Sequence, residues 1–130
     1  MKYLLLCHHD ERSWNKLSES EQQQHMGEAT QLVRQLKSHG QYLASAPLYP
    51  TSTATSVRVR TGKSIVTDGP YAETHEQLGG FYLIDVENVD EAISIAERHP
   101  GARVGTVAVR QVMELPGLPT NGFAKQSKPQ

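Results

Sequence analysis

The chain has 130 residues, of which 37% are hydrophobic and 21% are charged, a composition that excludes a disordered or fibrous protein and suits one compact domain. A net charge of -1 with both signs interspersed excludes a basic field, so we expect neither direct nucleic-acid binding nor attachment to a membrane. Cys7 is the single cysteine, which excludes an internal disulfide, and the apolar run around it is too short for a signal sequence or a membrane span. We therefore expect a cytoplasmic protein.

The first third of the chain predicts a buried strand followed by a long helix. Residues 2–8 are apolar on both alternating sets, which is typical of a central strand covered on both faces. Residues 9–13 are polar and are expected to form a connection. Ser18 and Glu21 have the spacing of a capping box, and the amphipathic stripe that follows continues until Gly40 provides a left-handed stop. This helix is expected to cover one face of the sheet.

A short strand and a hairpin are predicted in the middle of the chain. Residues 41–46 favour a strand that ends at Pro47, which has a fixed φ and no N–H. Apolar and charged residues alternate over residues 55–60, and Thr61–Gly62 has the composition of a tight turn before residues 63–67 return. The alternation predicts a hairpin with one face in water and the other covered.

The last predicted elements are a strand, a helix and a strand. Residues 81–86 are again largely apolar on both faces, and Asn88 resembles the cap of an amphipathic helix that ends at Pro100–Gly101. Residues 104–113 predict the closing strand. Residues 116–130 are rich in proline and glycine and poor in apolar side chains, which predicts a mobile tail or an arm that binds a partner.

The order of these elements predicts a single α+β domain over residues 1–115, of the ferredoxin-like β-α-β…β-α-β type with an inserted β-hairpin. Helices in this pattern cover only one face of the sheet, which leaves an apolar layer without a cover. Face-to-face packing of the sheets in a symmetric homodimer would bury that layer. We therefore expect a dimer.

Residues 67–81 form the candidate site, because they gather carboxylates, a histidine, a proline and glycines between two predicted strands. Gly69 permits a positive φ, and Pro70 offers no N–H, so the carboxylate of Asp68 is left for other donors. The alternative is a capped turn in which Asp68 accepts backbone N–H groups. The sequence leaves both roles open for Asp68.

Glu73 and Glu76 stand in the same stretch. If residues 72–78 form one or two helical turns, these carboxylates share a face while His75 points elsewhere. That spacing argues against a Glu/His metal site, so we expect no metal. The alternative for both glutamates is structural, with each carboxylate bonded to nearby donors.

His25 lies on the apolar stripe of the first predicted helix, which places it towards the sheet. A half-buried histidine in such a position often serves structure, with its ring nitrogens satisfied by neighbouring groups. A chemical role for His25 therefore needs separate support.

The candidate site also carries a family resemblance. The sequences VTDGPYAET (residues 66–74) and EQLGGFYLI (residues 76–84) resemble the signature of the YCII-related proteins, specifically their DGPF subgroup. The resemblance covers nearly the whole domain and implies a dimeric ferredoxin-like α/β barrel. Tyr71 stands where Phe is usual, and His75 stands where Lys is common, which weakens any catalytic role for His75.

The resemblance implies a small enzyme with a histidine and an aspartate in one pocket, and one relative is a dehydrochlorinase of chlorinated hydroxyquinols. Carried onto this sequence, the catalytic pair is His25 and Asp68. We expect a lyase or isomerase without cofactors that uses acid–base chemistry on a small polar or aromatic acid. The expected substrate-binding residues are Gly69, Pro70, Tyr71, Glu73, Glu76, Gly79 and Gly80.

Two other classes of function stay open from the sequence. The resemblance also implies a ligand-binding or regulatory accessory protein linked to an extracytoplasmic-function sigma factor, with no turnover. A purely structural dimer would have no pocket. A nucleophilic Cys7 ranks below these, because the sequence places no base beside it and its strand is expected to be buried.

Overall fold

The computed structural model describes residues 1–117, along which it places six strands, four α-helices and one 3₁₀ turn. The strands are β1 (Lys2–His9), β2 (Tyr42–Pro47), β3 (Thr55–Arg60), β4 (Lys63–Asp68), β5 (Gln77–Asp85) and β6 (Thr106–Gln111). The helices are α1 (Glu11–Lys16), α2 (Glu19–Ser38), α3 (Val89–Arg98) and α4 (Gly101–Val104), and the 3₁₀ turn is Thr51–Thr53. The tail predicted at residues 116–130 lies, from residue 118 onward, outside the described residues.

Four strands form one antiparallel sheet in the order β2-β5-β1-β6, while β3 and β4 pair as a separate hairpin. The strand predicted over residues 2–8 is central, as expected from its apolar residues on both faces. The order and directions of the strands are consistent with the predicted ferredoxin-like α+β fold. The hairpin turns at Thr61–Gly62, where both residues have positive φ.

The core lies between the helices and one face of the four-stranded sheet. Alternate residues of β1 and β5 point into it, and the apolar stripes of α2 and α3 close it from above. Its buried residues are Tyr3, Leu5, Leu32, Leu36, Tyr82, Ile84, Val86, Ala92, Ile95 and Ala96. The opposite face of the sheet has no helix packed on it among these elements.

The helix caps follow the predicted chemistry. The Ser18 hydroxyl accepts from the Glu21 N–H at 3.1 Å, and the Glu21 carboxylate accepts from the Ser18 N–H at 3.0 Å, which completes the capping box. Asn88 caps α3 by accepting from the Glu91 N–H at 3.0 Å. No helix within residues 1–117 combines the length and the apolar character that a bilayer span requires.

Two predicted connections are helical instead. Residues 9–13 were expected to be a polar connection, but α1 begins at Glu11 because the Asp10 carboxylate caps it, accepting from the Arg12 N–H at 2.9 Å. Pro100–Gly101 ends α3 as predicted and then opens α4, since the fixed φ of proline suits a first helical turn. The closing strand β6 therefore begins at Thr106, not at residue 104.

The helical turns considered for residues 72–78 do not form. The chain between Asp68 and Gln77 has no regular element, and β5 begins at Gln77, before the glycine pair at residues 79–80. Gln77 and Leu78 pair with the end of β1 across a β-bulge, and ladder hydrogen bonds satisfy this backbone better than a helix interrupted by two glycines. Gly69 has φ of 98°, as its place after Asp68 predicts.

The hairpin differs from expectation in its exposure. Val57, Val59 and Val66 lie on one of its faces and are 63%, 62% and 63% exposed. The prediction that one face is covered is wrong for residues 1–117 of the single chain, because among the described strands β3 and β4 pair with each other and with no strand of the larger sheet.

Candidate functional site

A cavity of about 490 Å³ opens between α2 and the sheet, at the end of the sheet where β1 finishes. Cys7 and His9 of β1, Tyr82 of β5 and His25 of α2 line it together with His99, which follows α3. The remaining wall is largely apolar and includes Trp14, Met26, Ala29, Val33, Leu48 and Val104. Among residues 1–117, no Asp, Glu, Lys or Arg lines this cavity, and the ionisable side chains that do are histidines, a thiol and a phenol.

His25 projects from α2 into this cavity, as the apolar stripe predicts. Its ring meets the indole of Trp14 edge-on, with centroids 5.8 Å apart. Glu21 lies four residues earlier, one helical turn away. The hydrogen bonds from Ser18 lower the pKa of Glu21, and the charge of His25 lowers it further. Glu21 is therefore a carboxylate within electrostatic reach of His25.

His9 faces the same Trp14 from β1, with ring centroids 6.1 Å apart. Its ring occupies space that only a glycine at position 79 leaves open, since a Cβ on Gly79 would lie 2.4 Å from the His9 Cε1. A Cβ on Gly80 would lie 3.0 Å from the carbonyl oxygen of Ala46 on β2. Both glycines line the cavity, and both are required by the close packing of β5 against its neighbours.

His99 and Cys7 meet at the cavity wall, with 4.0 Å between Nε2 and Sγ. The Gly101 N–H donates to His99 Nδ1 at 2.9 Å, and the ring sits edge-on to Tyr82 at 5.1 Å. Burial, the charge of His25 and the Arg103 guanidinium together lower the pKa of His99 from 6.5 to about 4. His99 is therefore a neutral histidine at physiological pH.

The same burial affects the thiol and the phenol. It raises the pKa of Cys7 to about 11, and it is the largest cause that raises the pKa of Tyr82 to about 12. A neighbouring histidine activates a cysteine by taking its proton and stabilising the thiolate. Here the lowered pKa of His99 makes it a weak base and the raised pKa of Cys7 makes the thiol a weak acid, so the pairing does not favour Cys7 as a nucleophile.

The structure does not bring Asp68 to His25 within one chain. Asp68 is exposed at the end of β4 and is not among the residues that line the cavity. The backbone around it is held by the hairpin, since the Gly69 N–H donates to the Ala54 carbonyl at 2.6 Å and the Ser56 hydroxyl donates to the Gly69 carbonyl at 2.8 Å. Five of the predicted substrate-binding residues also lie outside the cavity lining, namely Gly69, Pro70, Tyr71, Glu73 and Glu76.

A hydrogen-bonded network fastens this signature segment to α1. The Glu11 carboxylate accepts from the Thr51 N–H at 2.9 Å and from the Thr51 hydroxyl at 2.7 Å. The Glu11 N–H donates to Gln77 Oε1 at 3.0 Å, and Gln77 Nε2 donates to the Thr74 carbonyl. The network holds the helix that carries Trp14 against the start of β5, so Gln77 of the signature has a structural role.

Sequence reasoning missed several members of the site. The spacing of Glu21 and His25 was available from the sequence, because residues four apart on a helix are neighbours. His9, Trp14 and His99 come from segments that only the tertiary fold brings together, and they gave no local signal. Within residues 1–117, no three His, Cys, Asp or Glu side chains gather in an arrangement able to hold a metal ion. The expected lack of a cofactor stays a prediction.

Comparison with known proteins adds the family. A model of the YCII-related domain matches residues 1–116. The chain belongs to the YCII-related family. An uncharacterised protein of Rhizobium meliloti (strain 1021) is 39% identical to this YCII-related chain over 106 residues, which cover 82% of the chain and 86% of that protein. The matched region includes the start of β5, where Gly79 and Gly80 border the cavity and Gln77 is hydrogen-bonded to α1.

Proposed function

We propose that this protein is a small lyase or isomerase without cofactors, in which His25 transfers a proton to or from a small polar or aromatic acid. The observation that carries the proposal is the position of His25, which projects from α2 into a cavity of about 490 Å³. A volume in this range suits a small organic ligand, and the apolar walls suit an aromatic body. An imidazole at such a wall has the geometry of a general base.

Glu21 supports this role electrostatically. When His25 takes up a proton, the Glu21 carboxylate one helical turn away stabilises the imidazolium, because opposite charges at this spacing attract. The edge-on Trp14 ring limits the directions in which the imidazole can turn. His25 thus gains an orienting neighbour and a charge partner from its own chain.

The homodimer is part of the same proposal. Leu4, Leu6 and Phe81 alternate with the core residues of β1 and β5, so they face away from the helices, and each stays partly exposed. The exposed valine face of the hairpin adds to this apolar surface. Two sheets packed face to face would bury both, as the dimeric barrel implied by the family resemblance requires.

Within this dimer we place Asp68 as a group donated across the subunit interface. Asp68 shares no cavity with His25 of its own chain, whereas the hairpin that carries it projects from the domain. Residues of the adjoining loop, Gly69, Pro70, Tyr71, Glu73 and Glu76, would then border the cavity of the second subunit. The glycines at positions 79 and 80 already border the cavity of their own chain.

The acid–base role is tested with phenylpyruvate, a small aromatic acid with an acidic C–H, by following the exchange of its methylene protons in D₂O by NMR. We expect exchange above the buffer rate with the native protein and loss of that excess in His25→Gln. The matched control is His39→Gln, because His39 lies outside the cavity at the end of α2. Binding without exchange would contradict catalysis and favour a ligand-binding accessory protein.

The placement of Asp68 has its own test. Equal amounts of His25→Ala and Asp68→Ala chains are unfolded, mixed and refolded, and exchange of phenylpyruvate is measured. If the pair forms across subunits, random mixing restores roughly a quarter of the native activity, because half of the dimers then carry one intact site. If the mixed chains refold as dimers without regaining exchange activity, or if Asp68→Ala alone is fully active, Asp68 does not belong to the site.

A further inference from the structure

His99 is one of the polar groups of the cavity that the proposed function leaves unused. We propose that His99 holds a fixed Nε2–H towards the cavity and that this donor binds the carbonyl oxygen of the substrate. The substrate class is then narrowed, within the small aromatic acids of the proposed function, to those with an acidic C–H next to a carbonyl group. This inference deepens the proposed function and rests on it for the base, His25.

The tautomer of His99 follows from one hydrogen bond. The Gly101 N–H is a donor only, so Nδ1, at 2.9 Å from it, accepts with its lone pair and carries no proton. The neutral ring must therefore carry its proton on Nε2. Gly101 secures this approach, because a Cβ there would lie 2.9 Å from the same Nδ1. The environment keeps the ring neutral, with the pKa of His99 at about 4.

Within the part of the chain that the structure describes, the Nε2–H of His99 has only a weak partner. Its contact is the Cys7 sulfur at 4.0 Å, and a thiol is a poor acceptor. Burial raises the pKa of Cys7 to about 11, so the sulfur stays a thiol and does not become a strongly accepting thiolate. An oxygen acceptor on a ligand in the cavity would therefore be the better partner for this donor.

The lining of the cavity limits what else the ligand can carry. Because no Lys, Arg, Asp or Glu of residues 1–117 lines it within one chain, the carboxylate of an acid would meet no counter-charge at this wall, and we expect it to stay in solvent at the cavity opening. Apolar side chains such as Val33 and Val104 suit an aromatic or alkyl body. A neutral donor in such surroundings is matched to a neutral carbonyl oxygen, which becomes negative only as the reaction proceeds.

In the chemical step, His25 takes the proton and His99 stabilises the negative charge that forms on the carbonyl oxygen. Neutral His25 takes the proton from the carbon next to the carbonyl, and the C–H electron pair becomes the C=C bond of an enolate. The carbonyl π electrons move to oxygen, where the Nε2–H of His99 stabilises them. In an isomerisation of a β,γ-unsaturated carbonyl compound, the carbonyl re-forms, the remaining double bond shifts to the α,β position, and the γ-carbon takes the proton back from His25. In an elimination, the carbonyl re-forms, a Cα=Cβ bond forms, the leaving group on the β-carbon departs with its electron pair, and His25 passes its proton to that group or to water.

Acetophenone and α-methylstyrene test this inference, because they have the same shape and only the first has a carbonyl oxygen. Affinities are measured by ligand-observed NMR titration. We expect the native protein to bind acetophenone about threefold to tenfold more tightly, the worth of one hydrogen bond. His99→Gln, whose amide nitrogen can replace Nε2, keeps most of this preference. His99→Asn, whose amide reaches only the Nδ1 position, loses it while circular dichroism shows a folded protein.

Deuterium exchange at the acetophenone methyl group separates this inference from the proposed function. A carbonyl preference that depends on His99 but comes with no exchange supports the donor and contradicts His25 as a base. Equal affinity for the two compounds in the native protein, or a preference that survives His99→Asn, would overturn the inference whatever the exchange rate. A ¹⁵N spectrum showing a proton on Nδ1 of His99 would overturn it as well.

Discussion

At the scale of single residues, burial and local hydrogen bonds place His99 and His25 in different chemical environments within one cavity. His99 is fixed in one neutral form by the Gly101 N–H and by its surroundings. His25 has a carboxylate, Glu21, one turn away and an aromatic neighbour, Trp14. A histidine with a nearby counter-charge can take up a proton, whereas one held neutral acts through the hydrogen bonds that its two ring nitrogens make, one as donor and one as acceptor.

The neutral state of His99 predicts an acid-sensitive fold. Its pKa is 6.5 when unperturbed and about 4 in the folded protein, so between these values the unfolded chain binds a proton that the folded chain does not. The contribution of His99 therefore leaves the free energy of unfolding at its highest above pH 6.5 and lowers it as the pH falls towards 4. We expect a loss on the order of 2 kcal/mol in the free energy of unfolding, measured by urea denaturation across this range.

The control for this prediction is His99→Gln, which cannot titrate. Its free energy of unfolding should depend less steeply on pH over the same interval. The remaining dependence at lower pH belongs to carboxylates such as Asp10 and Glu21, whose pKa values are lowered in the folded protein. If the free energy of unfolding depended equally on pH in the native protein and in His99→Gln, protonation of His99 would not destabilise the folded state, and the prediction would be wrong.

At the scale of elements, the glycine pair of the signature is explained by how closely β5 packs against β1 and β2. Gly79 leaves room for the His9 ring, and Gly80 lets the carbonyl of Ala46 approach. These glycines were predicted as substrate-binding residues, and they do border the cavity. Their lack of side chains shapes the cavity by admitting His9 beside Trp14.

Gly79→Ala should therefore destabilise the protein by about 1–3 kcal/mol, the usual cost of inserting a methyl group into a packed site. The new Cβ would overlap the His9 ring, so a second change, His9→Ala, should recover part of the loss in a double-mutant cycle. Thermal or urea unfolding measures both.

The matched control is Gly27→Ala, in the interior of α2, where a Cβ would meet nothing within 4 Å. It should stabilise the protein by about 1 kcal/mol, because alanine favours the helix over glycine. If Gly79→Ala were as harmless as Gly27→Ala, the His9 ring would be free to move and the close packing of β5 would not matter.

The elements also show how far the sequence could predict this protein. Strand β1, the capping box at Ser18 and the glycine stop at Gly40 were predictable because each depends on neighbours in the chain. Helix α1 was missed, since a short helix has little periodicity and its cap at Asp10 resembles an ordinary polar turn. The proposed turns at residues 72–78 failed because pairing with β1 determined that backbone.

The candidate site was less predictable than the fold. His25 was found because its stripe is local, whereas its neighbours Trp14, His9 and His99 are set by tertiary packing. The family resemblance directed attention to the Asp68 loop, which in one chain lies away from the cavity. A single sequence shows which residues are unusual, and only the fold shows which of them meet.

At the scale of the whole molecule, the exposed apolar surfaces predict a homodimer. In sedimentation analysis the protein should have twice its chain mass of 14.4 kDa. Val59→Lys should weaken the dimer without unfolding the chain, because Val59 is 62% exposed and contributes nothing to the core. Arg58→Lys, on the opposite face of the hairpin, should leave the mass unchanged. A monomeric native protein at micromolar concentration would contradict the proposed dimer.

The position of Trp14 has a practical consequence. It is the only tryptophan in the sequence, and its indole packs edge-on against the rings of His9 and His25 at the cavity wall. A ligand that fills the cavity changes the surroundings of this indole. The intrinsic fluorescence of the unlabelled protein should therefore change on binding, so that a ligand can be titrated without a label.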